Sequence, residues 1–112
     1  MFKINGNTIQ ITRGDTGIFT LSILSDGQEY DYSNDTVVFS VKTNIYTSKY
    51  LFQKEITYGS AVVIEPSDTA NLSYGDYVYD VQVTTASGVV DTVIVPSKFS
   101  VLPEVTFGGN NG

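Results

Sequence analysis

The sequence predicts an all-β protein in which two sheets pack face to face, and three observations lead there. Apolar residues recur at every second position in several short runs: Phe19, Leu21 and Ile23; Val37, Phe39 and Val41; Tyr77, Tyr79, Val81 and Val83. A period of two puts one set of side chains on one face of a strand. Turn signals fall roughly every 8–12 residues, the spacing of sandwich strands. The stretch 64–81 ends one strand at Pro66, turns, and re-enters through Gly75 into a strand of alternating aromatics, as in a crossing between two sheets.

The elements follow in order. Asn5-Gly6 lies between apolar-polar runs and predicts an opening hairpin, because Asn-Gly suits turn positions of positive φ. Arg13-Gly14-Asp15 punctuates the chain before a strand over residues 16–24 with Phe19, Leu21 and Ile23 inward. Asp26-Gly27 predicts a tight turn and residues 29–34 an acidic loop. Strands follow over 36–42, 50–56 and 61–65, the second near a sheet edge because its charges cluster at one end. Pro66 donates nothing to a ladder, so it ends the third of these and opens one helical turn over 66–72. Gly75 permits a sharp re-entry into a long strand with Tyr77, Tyr79, Val81 and Val83 inward, and Tyr77 is placed to form a corner, its hydroxyl bonding the preceding turn. Ala86-Ser87-Gly88 is a hairpin turn, and the last strand runs from Val89 to Leu102 with an interruption at Pro96. The expected organisation is one β-sandwich domain over 1–106 and a flexible tail over 107–112.

Composition narrows the function. A chain of 112 residues is one domain with room for a core. It has neither Cys nor His, which removes disulfides, thiol nucleophiles, zinc–thiolate sites and Ser-His-Asp relays. Six basic and twelve acidic residues give a net charge of −6, which argues against nucleic acid and anionic membrane surfaces as partners. Met1 to Gly6 contains no long apolar stretch, so no secretory signal is expected.

Few residue groups suggest chemistry. Arg13-Gly14-Asp15 spells an integrin-recognition triplet, but a bend before a strand explains it as well. Asp26, Glu29, Asp31 and Asp35 form the densest acidic patch. It lacks the spacing of a calcium loop, so at most weak calcium binding is expected. No phosphate loop or nucleophile elbow occurs, and the reading is non-enzymatic, with no catalytic residues, no metal site and no cofactor. Tyrosines are abundant, and loop tyrosines suit contacts with sugars or proteins. Tyr30, Tyr32, Tyr46 and Tyr50 are the candidate contact surface, while Tyr77, Gly75 and Pro66 are candidate corner residues.

Three segments carry a resemblance: residues 11–16 leading to Phe19; residues 65–72 leading to 75–81; and residues 88–94 followed by 99–101 and 104–106. In order and spacing they resemble small structural domains of tailed bacteriophages and prophages of Gram-positive bacteria, similar to the N-terminal domain of baseplate upper proteins. The resemblance implies an immunoglobulin-like β-sandwich of about seven to nine antiparallel strands. It also implies a virion structural module of the baseplate, tail or head surface, made in the host cytoplasm and working through contacts with other virion proteins or in a homo-oligomer. Edge pairing is expected at residues 50–56 and 93–101. The alternative is a module that binds carbohydrate or a host receptor through its tyrosine-bearing loops.

Overall fold

A computed structural model describes residues 1–105. The expected tail at 107–112 lies outside the described residues. In chain order the elements are β1 (Phe2–Asn5), β2 (Thr8–Thr12), β3 (Gly17–Phe19), β4 (Leu24–Ser25), β5 (Gln28–Glu29), β6 (Thr36–Lys42), β7 (Phe52–Glu55), β8 (Val62–Ile64), α1 (Pro66–Thr69), β9 (Gly75–Thr84) and β10 (Val90–Leu102). The described residues are thus all-β apart from one helical turn.

Six strands form one sheet in the order β1-β2-β10-β9-β6-β7, while β3-β8 and β4-β5 are two-stranded ribbons. The sheet is mixed, which corrects the expectation of wholly antiparallel strands. β2 runs parallel to β10, with Ile9 opposite Phe99 and Ile11 opposite Val101. Both strands alternate apolar and polar residues, and this register puts Ile9, Ile11, Phe99 and Val101 on the buried face together. The pairing also corrects one expected edge. Residues 99–101 are interior to the sheet, and only the preceding part of β10 has β9 as its sole neighbour among the described residues. β7 is at the sheet edge, where its charges suggested.

One face of the sheet is the core. Phe39 of β6 is fully buried, and its ring lies 5.2 Å from Tyr79, 6.4 Å from Phe99, 6.2 Å from Phe52 and 5.6 Å from Phe19. Phe19 belongs to the β3-β8 ribbon, whose Val62 and Ile64 are buried in the same cluster. The ribbon therefore lies over the sheet, and aromatic contacts join the two layers.

The strand expected over 16–24 is broken. It pairs with β8 only from Gly17 to Phe19. Beyond Phe19 the alternation of burial continues, with Leu21 and Ile23 half-buried and Thr20 and Ser22 exposed. The Leu21 carbonyl accepts a hydrogen bond from the Tyr32 hydroxyl at 3.0 Å instead of a strand neighbour, which meets its backbone demand without a ladder. Asp26 and Gly27 take φ of 52° and 79° and join β4 to β5, the paired positive values of a type I′ hairpin. The opening hairpin differs: Asn5 faces Thr8, so Gly6 and Asn7 form the loop, and only Gly6 has positive φ.

β10 follows β9 with register shifts between Thr92 and Ile94 and between Ile94 and Ser97. The second spans Pro96, which has no N–H to offer a ladder.

Candidate functional site

Parts of all three segments singled out by resemblance meet at one corner. Arg13, just after β2, donates through Nε to Glu104 at 2.7 Å, through one terminal nitrogen to the Leu72 carbonyl at 3.3 Å and through the other to the Tyr74 hydroxyl at 3.0 Å. Its guanidinium lies 4.3 Å from the centre of the Tyr74 ring. The hydrogen bond to Glu104 holds the Arg13 pKa above its ordinary value. The Gly14 N–H donates to the hydroxyl of Thr69, which is fully buried in α1. Asp15 pairs with the Met1 ammonium. Arg13-Gly14-Asp15 is therefore a tie between the start of the chain, the α1 corner and the end of β10, with both charged side chains engaged internally.

Pro66 occupies the first turn of α1, and Asp68 accepts the Glu65 N–H at 2.8 Å, so a cap satisfies one helix-start donor. Asp68 also pairs with Lys54 of β7 at 2.8 Å. Past the helix, Gly75 opens β9 with φ 144°, a backbone state suited to glycine. The Tyr77 hydroxyl donates to the Ser73 carbonyl at 2.7 Å.

The four tyrosines named as a candidate contact surface differ widely in exposure. Tyr32 is only 2% exposed and packs edge-on against Tyr58 at 4.9 Å; burial pushes its pKa up. Tyr30 is half-buried and donates to Asp35, a bond that raises the Tyr30 pKa. Tyr46 and Tyr50 share the loop between β6 and β7 and are 90% and 48% exposed. In the acidic patch, Asp31 accepts the Ser33 N–H, Asp35 is taken by Tyr30, and Asp26 is in the hairpin turn. Among the described residues no three carboxylates converge as a metal site would need.

Tyr50 instead borders a recess of about 150 Å³ on the outer face of the large sheet. Ser40, Lys42, Asp80 and Gln82 supply its polar lining, and Ile45, Tyr50, Val78 and Pro96 its apolar lining. Ser40 faces Asp80 directly across β6 and β9. The Lys42 ammonium lies 4.8 Å from the centre of the Tyr50 ring. Burial raises the Asp80 pKa, and the positive charge of Lys42 partly opposes that shift. With Tyr79, Val81 and Val83 inward, the period of two in the sequence leaves Asp80 and Gln82 on the solvent face, without joining them to any site. The missed signal was that Lys42, Asp80 and Gln82 are outward residues of two neighbouring central strands.

A second concavity, of about 530 Å³, lies between the β4-β5 ribbon and the β9-β10 connection and is lined by Ile23, Leu24, Tyr30, Val83, Val89 and Val93 among others. It adjoins the part of β10 that has no outer neighbour among the described residues, where Val90 and Val95 are 60% and 62% exposed.

No family model, curated protein or solved structure matches this chain. No helix of the described residues is long and apolar enough to cross a membrane.

Proposed function

We propose that this chain is a non-enzymatic structural module of a tailed-phage virion, built as an immunoglobulin-like sandwich and working through protein–protein contacts. The observation that carries the reading is the corner around Arg13. One part of each of the three segments of the phage resemblance, far apart in sequence, is joined there by hydrogen bonds among Arg13, Gly14, Thr69, Leu72 and Glu104. They behave as parts of one structural device, as expected if the resemblance reflects a common architecture.

Strand order supports the immunoglobulin-like reading. The run β10-β9-β6-β7 has the order of the larger sheet of variable-type domains, and β3-β8 lies where the facing sheet would. The Tyr77 bond to Ser73 stands at the corner where such domains carry their tyrosine.

The contact itself is assigned to the open part of β10. Val89, Val90 and Val95 are each at least 60% exposed, and Asp91 is the one charge between residues 89 and 97. An edge so lightly charged is a template for another strand. Pairing two copies antiparallel about Val93 would set Asp91 opposite Val95, so no like charges confront each other. Pro96 limits such pairing at one end. Sedimentation velocity over a concentration series tests the reading: a mass rising above 12.2 kDa is expected, and a strict monomer at the highest concentration weighs against it.

The exposure of Tyr46 and Tyr50 favours a second reading, recognition of a carbohydrate or host receptor by the β6–β7 loop. Glycan-array binding that is lost in Tyr46→Ala or Tyr50→Ala would support it.

A further inference from the structure

We propose that the recess on the outer face of the large sheet takes a single neutral sugar ring, bound by Asp80, Gln82 and Lys42 against the wall formed by Tyr50. The inference rests on the second reading above and moves its ligand from the loop tip to the sheet. The recess joins two chemistries that a pyranose ring also joins. Ser40, Lys42, Asp80 and Gln82 present a hydroxyl, a donor ammonium, an acceptor carboxylate and a side-chain amide, which suit the hydroxyl edge of a sugar. Ile45, Tyr50, Val78 and Pro96 present apolar surface, which suits its C–H face.

Position and size point the same way. Ser40 and Asp80 are cross-strand partners, and Lys42 is two residues along β6 from Ser40. The polar groups are thus fixed on paired strands of the rigid sheet, while only the Ile45 and Tyr50 wall comes from a loop. Ser40 is 9% exposed and already accepts a hydrogen bond from Gln53 at 2.9 Å, so its hydroxyl is oriented. About 150 Å³ is well below the ~300 Å³ of the smallest drug-sized pockets, which fits one ring and excludes a buried oligosaccharide. Neutrality follows from the charges present. Lys42 and Asp80 are both in the lining, so an anionic ligand meets the carboxylate and a cationic one meets the ammonium.

The test is an amide-resolved NMR titration of the full chain with glucose, galactose and N-acetylglucosamine, with methylammonium as a charged comparison. Saturable shifts at Lys42, Tyr50, Asp80 and Gln82 are expected, with a millimolar Kd because one ring makes few contacts. Asp80→Asn is expected to weaken binding about tenfold by removing a charged acceptor, with its melting transition still cooperative. Tyr50→Ala, a loop change, is expected to weaken binding as well, whereas Tyr46→Ala leaves it unchanged. The proposal is overturned if no sugar gives saturable shifts at these residues, or if methylammonium binds there and sugars do not. It is equally overturned if Tyr46→Ala abolishes binding while Asp80→Asn does not, an outcome that leaves the loop-tip reading standing.

Discussion

Phe39 is the side chain on which both layers close, with four aromatic neighbours and no exposure. Phe39→Ala is expected to cost about 3–5 kcal/mol in denaturant unfolding, because it removes a large buried group from a site walled by stiff rings. The Tyr77 hydroxyl makes a single bond to backbone in a less buried place, so Tyr77→Phe is expected to cost about 0.5–1.5 kcal/mol. Two carboxylates should respond to pH with opposite signs. The Asp76 pKa is lowered, chiefly by the Ser100 hydroxyl and then by Lys98. Its contribution is present above the unfolded value of about 3.9 and fades as pH falls. Burial raises the Asp80 pKa, so the folded state is disfavoured as that carboxyl ionises. In thermal melts at neutral pH, Asp76→Asn should therefore melt below the parent protein and Asp80→Asn above it; the Asp76 difference should shrink as pH falls below about 4, whereas the Asp80 difference should shrink above that and be gone by about pH 4. The inward character of Val37, Phe39, Val41, Tyr79, Val81 and Val83 was legible in the sequence because alternation reports it directly. The burial of Tyr32 was not: it lies in a polar stretch, and its place in the core, with contacts to Tyr58 and the Leu21 carbonyl, comes from segments distant in sequence.

At the scale of elements, local signals did best where the chain determines its own neighbours. Asp26-Gly27 specified a two-residue hairpin, and Pro66 marked both a strand end and a helix start. They did worst where pairing is non-local. The docking of β2 on β10 leaves no short-range trace, since either direction of pairing serves an alternating strand. The approach of β1 to β3 sets up a test at Gly17. A Cβ there would fall 2.5 Å from a Phe2 ring carbon, and that ring stacks on Phe19 at 6.2 Å. Gly17→Ala must displace the ring, and a loss of about 1–3 kcal/mol is expected. Hydrogen exchange should quicken first in β1 and not in β6. Asp68 serves two elements at once, capping α1 and pairing with Lys54.

For the whole molecule, one face of a mixed sheet is closed by the β3-β8 ribbon, and we propose that the opposite face and the open stretch of β10 meet other molecules. The recess was illegible in the sequence because its lining comes from three separated stretches that only the sheet brings together. The open stretch was half legible: the Val-rich run was visible, but the point where β2 begins to cover it was not. Hydrogen exchange followed across a dilution series tests the assignment of function to that stretch most directly. Amides of residues 90–95 should gain protection as concentration rises, while those of β1 and β7 do not change. Exchange in that stretch that is independent of concentration up to the solubility limit would contradict self-assembly through β10.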